Sequence, residues 1–496
     1  MSKLSFGNRK FVLPIKFLLG AISVGMTGCL VGPNYARPEV ILPSGWSGGG
    51  DNSIAVNTIA KWWDGFNDHQ LSKLVEQAIE NNLDRKVALL RLREARANRA
   101  IVRGDFYPNI SANTGYRRSF SATASNQTQS GELEQEFQRG SGVIRSLYQA
   151  GFDASWELDI FGGLKRSVEV ADAGVDFTKE ELRDVTISLV AEVATAYCSL
   201  RGSQRQLDVA DKNLQLQRKT AEIVKTRFDG GLASVLDVAR AEAQVATTLA
   251  VLPQIQAEID RDKLTIAVLL GLEPTALVDE LEAVSDPVPV VAFPQTGLPS
   301  ALLERRPDIR AAEANLKAAN ARIGVATADL FPRFSLTGAF GFESEPGDTL
   351  FNSGNRYWSF SPGVNLPIFA GGKLLANLDV QNVSYETTLV QYEQTILNAL
   401  KEVEVLLGNL RNENDHYAAL NAAVQLHRRA VSLARELYVE GLTDLLSVIT
   451  EERSLFVVED SFTRSETDLS NGIIALYKAL GGGWEEIEKG SEKTSN

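Results

Sequence analysis

The clearest chemistry in this chain belongs to Cys29. It follows Thr27-Gly28 at the end of an apolar run, Phe17 to Met26, which sits behind a basic head of Lys3, Arg9, Lys10 and Lys16. This is the layout of a signal peptide with a small-residue cleavage site. The run is too short to cross a bilayer, which takes roughly 20 apolar residues. A Cys directly after the site reads as a lipobox, so Cys29 is expected to be the palmitate-bearing first residue of the mature chain. The other thiol, Cys198, lies in a strong helical pattern and has no partner for a disulfide. It reads as a small buried hydrophobe.

Other residue types that do chemistry are sparse. The three histidines are His69, His416 and His427. His416 and His427 are eleven apart, so on a helix they point alike without meeting. No Cys/His cluster has zinc spacing. The runs Gly48-Gly49-Gly50 and Gly481-Gly482-Gly483 lack the Lys-Ser/Thr of a phosphate loop. No catalytic constellation, cofactor site or metal site is expected. Met1 and Met26 are the only methionines, which leaves no thioether path for copper. The net charge of -13 and pI near 5.0 exclude nucleic acid as a partner, since phosphate neutralisation needs a basic face. With 44% hydrophobic and 23% charged residues, the chain has the balance of an ordered protein.

Three landmarks recur in the same order. Asp105-Phe106-Tyr107-Pro108 resembles Asp329-Leu330-Phe331-Pro332. Ile160-Phe161-Gly162-Gly163 resembles Ile368-Phe369-Ala370-Gly371-Gly372. The segment from Gly231 to Val238 resembles that from Gly441 to Val448. One tandem duplication explains all three. Each unit reads as helix, β-hairpin, very long helix, turn, helix. Val193, Leu200, Leu207 and Leu214 are spaced by seven. So are Leu389, Ile396, Val403, Leu410, Tyr417, Val424, Val431 and Tyr438. Sustained heptads predict coiled-coil seams, and a helix of some 65 residues makes a rod of roughly 100 Å. Approximately Leu71–Arg103 with Leu232–Gly271, and Ala301–Asp329 with Leu442–Gly481, predict shorter helices stacked against each rod. Pro253 predicts a kink or a break.

The expected boundaries are 1–28 signal peptide, 29–67 anchored N-terminal segment, 68–272 first repeat, 273–299 linker, 300–484 second repeat and 485–496 tail. Strands are expected at about 106–120, 148–160, 332–343 and 357–369, with tips near 228–237 and 438–447. Phe334, Leu336, Phe340 and Phe342 alternate with small or polar residues. So do Trp358, Phe360, Pro362 and Val364, and Phe152, Ala154, Trp156 and Leu158. Strands of about ten residues with one apolar face suit a membrane β-barrel. Four cannot close one, since the smallest use eight. A barrel shared between copies of the chain follows, because an open edge in lipid leaves backbone groups unpaired.

The chain resembles the TolC-like outer membrane efflux factors, and most closely the lipoprotein (NodT-type) branch serving resistance-nodulation-division pumps. The likeness rests on the start from Cys29 to Tyr35, on Trp62-Trp63, on Leu303-Glu304-Arg305-Arg306-Pro307-Asp308-Ile309-Arg310, on Leu476 to Trp484 and on both tips. It implies a mainly α protein with a membrane β-barrel, a homotrimer whose helical barrel continues a shared twelve-stranded β-barrel. It implies a lipid-anchored exit duct in the cell outer membrane, with a periplasmic adaptor (membrane fusion) protein and an inner-membrane pump as partners. The adaptor contacts would fall on Phe228, Gly231, Leu232, Ser234, Leu236 and Asp237, with Tyr438, Gly441 and Leu442. The periplasmic gate would fall on Leu446, Thr450 and Glu451. The family's usual acidic gate positions are Ser447 and Thr450 here, and Asp444, Glu451 and Glu452 are the available substitutes. The expected cargo is small toxic compounds. Type I protein secretion and heavy-metal cation efflux stand as alternatives, with a structural coiled-coil lipoprotein as the non-channel one.

Overall fold

A computed structural model describes residues 30–47, 60–121, 143–282 and 299–484. Cys29 and the signal segment, the tail after Trp484 and most of the 273–299 linker lie outside the described residues. The element order is α1 (His69–Asn81), α2 (Leu83–Gly104), β1 (Asn109–Ser121), β2 (Val143–Leu158), α3 (Gly163–Asp229), α4 (Val235–Leu269), α5 (Leu302–Arg305), α6 (Pro307–Ala328), β3 (Arg333–Ser344), β4 (Arg356–Asn365), α7 (Lys373–Val439) and α8 (Leu445–Ala479). The chain is therefore mostly helical with one small sheet. Among the described residues, no helix is long and apolar enough to cross a membrane.

The duplication is visible in matched caps. Gly231 and Gly441 end the two 67-residue helices α3 and α7 at φ of 75° and 77°. Leu232 N–H donates to Arg227 O at 2.7 Å, and Leu442 N–H to Leu437 O at 2.8 Å. Gly271 and Gly481 close α4 and α8 in the same way. Each is a Schellman cap, which needs left-handed backbone that glycine adopts without strain.

Two expected single helices are each divided. Asn82 (ψ of 136°) separates α1 from α2, and its Oδ1 accepts from Arg85 N–H at 2.9 Å to start α2. Arg306 precedes Pro307 and is extended, at ψ of 119°, as a residue before proline prefers. Pro253, in contrast, sits inside α4 without ending it.

The chain forms two compact units. Of the described residues, the first holds 30–37, 95–121, 143–175 and 316–388. Its centre is an antiparallel sheet of order β1-β2-β3-β4. The register sets Ala112, Phe152, Phe340 and Trp358 in one row and Ile110, Ala154, Gly338 and Phe360 in the next. Facing partners share a side of the sheet, so one side is apolar and the other carries Asn113, Asp153, Gln149 and Tyr357. β1 begins after Pro108, and β4 ends short of Pro367, which has no N–H for a ladder. Among the described residues, no strand pairs with the outer edge of β1 or of β4.

Residues 31–34 are pinned to this unit by Arg166, whose guanidinium donates to Val31 O (3.2 Å), Gly32 O (3.2 Å) and Asn34 Oδ1 (2.9 Å). A Cβ on Gly32 would sit 2.5 Å from Gly324 Cα, and one on Gly324 would sit 2.7 Å from the Arg166 side chain, so the two glycines make room for the strap and for the arginine that holds it.

Of the described residues, the second unit holds 38–47, 60–94, 176–282, 299–315 and 389–484. Its seam buries Ile396, Val403, Leu410, Val424, Val431 and Tyr438 of α7, one face of the heptad series. Arg306 clamps the start of α6 to the end of α8. It donates to Ala479 O at 2.8 Å and pairs with Asp308 and Glu402. Arg183 lies 4.0 Å above the Trp484 ring, and Trp62 stacks on Tyr477 at 5.2 Å. The Arg305-Arg306-Pro307-Asp308 segment is thus a structural clasp. Cys198 is 3% exposed, and burial pushes its thiol up to about 12. At pH 8 it is expected to stay protonated and unreactive to maleimide in the native protein, and to be labelled quantitatively once the protein is denatured, as mass spectrometry would read.

Candidate functional site at the helix tips

Two turns, 230–234 and 440–444, join α3 to α4 and α7 to α8 within the second unit. Each shorter helix starts on a side-chain cap. Ser234 Oγ accepts from Asp237 N–H at 3.1 Å, and Asp237 Oδ2 accepts from Ser234 N–H at 3.0 Å, a complete capping box. In the second turn the residue types are exchanged. Asp444 Oδ1 accepts from Ser447 N–H at 3.0 Å and from Ser447 Oγ at 2.7 Å. These bonds from Ser234 and Ser447 hold the Asp237 and Asp444 carboxyls below the usual range. A depressed carboxyl stabilises above its unfolded value, and that contribution is lost as pH falls through the folded one. Asp444 thus serves the second turn as the N-cap, where Ser234 serves the first.

The turns are stitched together by Arg227. Its Nη1 donates to Tyr438 O at 2.6 Å and Val439 O at 3.1 Å, and its guanidinium lies 4.8 Å from the Tyr438 ring. This places a cation on the last carbonyls of α7, where the helix dipole favours it. Tyr438 turns inward and packs with Val224, Ala241, Leu445 and Val448. Of the expected contact residues, Tyr438 thus builds the turns' own core. Ser234 and Asp237 form the cap, while Gly231 and Gly441 supply the backbone. Leu232 and Leu442 stay 72% and 70% exposed, and Phe228 and Leu236 are exposed beside them.

The expected gate residues Leu446 and Thr450 are exposed on the first turns of α8. Glu451 lies 3.4 Å from His427 Nδ1. Glu452 does not face outward, as a pore carboxylate must. It is 3% exposed, and its Oε1 accepts from Thr220 Oγ1 (2.6 Å), Arg435 Nε (2.8 Å) and Arg435 Nη2 (2.6 Å). Seven residues away on each helix, Glu459 accepts from Asn213 Nδ2 and Arg428 Nε, both at 2.8 Å. Two polar layers at heptad spacing therefore lock α3, α7 and α8 together. Arg227, Arg428 and Arg435 were not singled out in the sequence, where only the seven-residue spacing of Arg428 and Arg435 offers a signal. Among the described residues, no group of three or more His, Cys, Asp or Glu could hold a metal ion.

This arrangement holds helices together and exposes apolar turns. A family model described as outer membrane efflux protein matches residues 74–272 and 298–482. The chain belongs to that family. This outer membrane efflux protein is 33% identical over 481 residues to the toluene efflux pump outer membrane protein TtgF of Pseudomonas putida, covering 95% of this chain and 97% of that one. It is 32% identical over 477 residues to the cation efflux system protein CusC of Escherichia coli, covering 95% of this chain and 100% of that one. Its fold matches the solved structure of the outer-membrane channel OprN with a TM-score of 0.80 at 34% identity, over 92% of this chain and all of that one.

The buried polar layer makes a test. Arg435→Leu strands the Glu452 carboxylate and is expected to cost about 3–5 kcal/mol, read as a fall in the thermal unfolding midpoint. Arg435→Leu with Glu452→Leu together should recover most of it, because an apolar pair leaves no unpaired charge.

Proposed function

We propose that this efflux protein is the outer-membrane exit duct of a tripartite pump, a passive conduit built from three copies. One observation carries the proposal: a four-stranded sheet with one apolar side and two unpaired edges. Three such sheets joined edge to edge make a twelve-stranded barrel, apolar outside and polar inside. A second observation supports the same assembly. On α7, Val383, Val390 and Leu397 recur at seven-residue spacing, as do Leu426 and Leu433, and all are exposed in a single copy. A stripe of this kind wants a partner helix. In the trimer the long helices enclose a periplasmic tunnel.

The same account gives the remaining residues their roles. Cys29 carries the lipid anchor, and the Arg166 clasp fixes the chain two residues further on. Phe228, Leu232, Leu236 and Leu442 form the apolar surface that meets the adaptor, with Gly231 and Gly441 shaping it. Ser234, Asp237 and Tyr438 hold that surface from within. Leu446, Thr450 and Glu451 line the periplasmic gate. An inner-membrane pump of the resistance-nodulation-division type supplies the energy, and the cargo is small toxic compounds, as the name of the toluene-pump relative suggests. The cation-efflux relative keeps metal cargo as the second reading; the methionine-poor sequence speaks against a thioether copper path.

Conductance in planar bilayers tests the duct. Purified protein whose periplasmic tip has first been opened by mutation is expected to form stable pores; no pore from such an opened protein contradicts a duct. Leu232→Asp with Leu442→Asp should leave such pores intact. It should also make cells as drug-sensitive as a deletion strain, because the adaptor surface is lost. Full resistance in that strain would remove the turns from the adaptor interface.

A further inference from the structure

We propose that Arg118 and Arg356 form a binding site for the phosphate-bearing headgroup of an outer-leaflet lipid on the apolar side of the sheet. The inference rests on the outer-membrane duct proposed above. The pairing register lets every strand residue be assigned to a side. The side that holds Ile110, Phe152, Phe340 and Trp358 carries two charged residues among the described strand positions. Both are arginines, and no carboxylate shares that side to balance them. Neither guanidinium has a polar partner among the described residues. The opposite side is different, since Arg145 there pairs with Glu345 at 3.4 Å.

Their level on the sheet is as informative as their charge. Arg118 lies eight residues from Ile110, and Arg356 lies eight residues before Val364. Eight extended residues span roughly 27 Å along a strand, which a barrel tilt reduces to about 20 Å of height. Both arginines thus sit at the far end of the apolar band, by the β1–β2 and β3–β4 connections and away from the helices. That end faces the cell exterior if the helices occupy the periplasm. Aromatic rings surround them: Tyr116 and Tyr148 lie 4.8 Å apart, and Phe342 and Trp358 flank Arg356 across and along the strands. Aromatics at this depth mark the headgroup boundary.

A guanidinium presents a planar fork of donors that matches phosphate oxygens. Within one copy, β1 and β4 are three strand spacings apart, about 14 Å, too far for one phosphate to touch both side chains. When β4 of one copy pairs with β1 of the next, the two arginines come to adjacent strands. Closure of the barrel therefore completes one such site at each of the three seams.

The test uses the intact protein in a neutral detergent, with native mass spectrometry counting bound lipid. The probes are lipid A carrying both phosphates and the same lipid with the phosphates removed. The phosphorylated form is expected to be retained about tenfold better, with up to one molecule for each seam. Arg118→Gln with Arg356→Gln should abolish that preference, and Arg117→Gln, on the polar side, should keep it. Equal retention of the two lipids by the unmutated protein overturns the site, and so does an unchanged preference in the double variant. A protein that conducts as a trimer yet ignores the phosphates refutes this inference alone. A protein that forms no pore refutes the duct and this site together.

Discussion

Backbone hydrogen bonding at the outer edges of β1 and β4 governs the rest of this molecule. In water those N–H and C=O groups are solvated, but in hydrocarbon each unpaired group costs several kcal/mol. In the proposed duct the apolar side of the sheet faces lipid, and its open edges forbid it to be there alone. Only edge-to-edge closure with further copies meets both demands. In the proposed trimer, the exposed stripe on α7 finds its partner in the same closure.

Stability is distributed to match. The sheet relies on its register and on assembly, whereas the helical unit relies on heptad burial and on arginines that tie distant segments. Arg166 holds the N-terminal strap, Arg306 joins α6 to α8, and Arg227 and Arg435 fasten α7 to α3 and α8. Each donates to backbone carbonyls, and Arg166, Arg306 and Arg435 donate to side chains as well. A lysine, with one point charge in place of a planar fork, would not replace them. The acidic residues nearest the turns serve structure first: Asp237 and Asp444 cap helices, and Glu452 is buried in a bond network.

Much of this was legible in the sequence because it is periodic. Strand alternation at Phe334 to Phe342 and the seven-residue series from Leu389 to Tyr438 announce their elements directly, and the duplicated glycine turns mark the helix ends. Local exceptions were less legible. Asn82 divides α1 from α2 because its side chain caps the second helix, a role that depends on its backbone angle. Pro253 is absorbed inside α4, since tertiary packing along a long helix outweighs one missing bond. The contacts of Arg227 and Tyr438 join residues 211 apart in the chain, which no local pattern records. For that reason Tyr438 looked like a contact residue, and Glu452 like a pore acid, until their neighbours were visible.

The central claim concerns copy number. Light scattering coupled to size exclusion, on the mature protein in detergent with the micelle contribution subtracted, reads it directly. A mass of three chains, stable on dilution, is the result this account predicts. A stable monomer with its strand content intact would contradict it, because the open sheet would then be sufficient by itself.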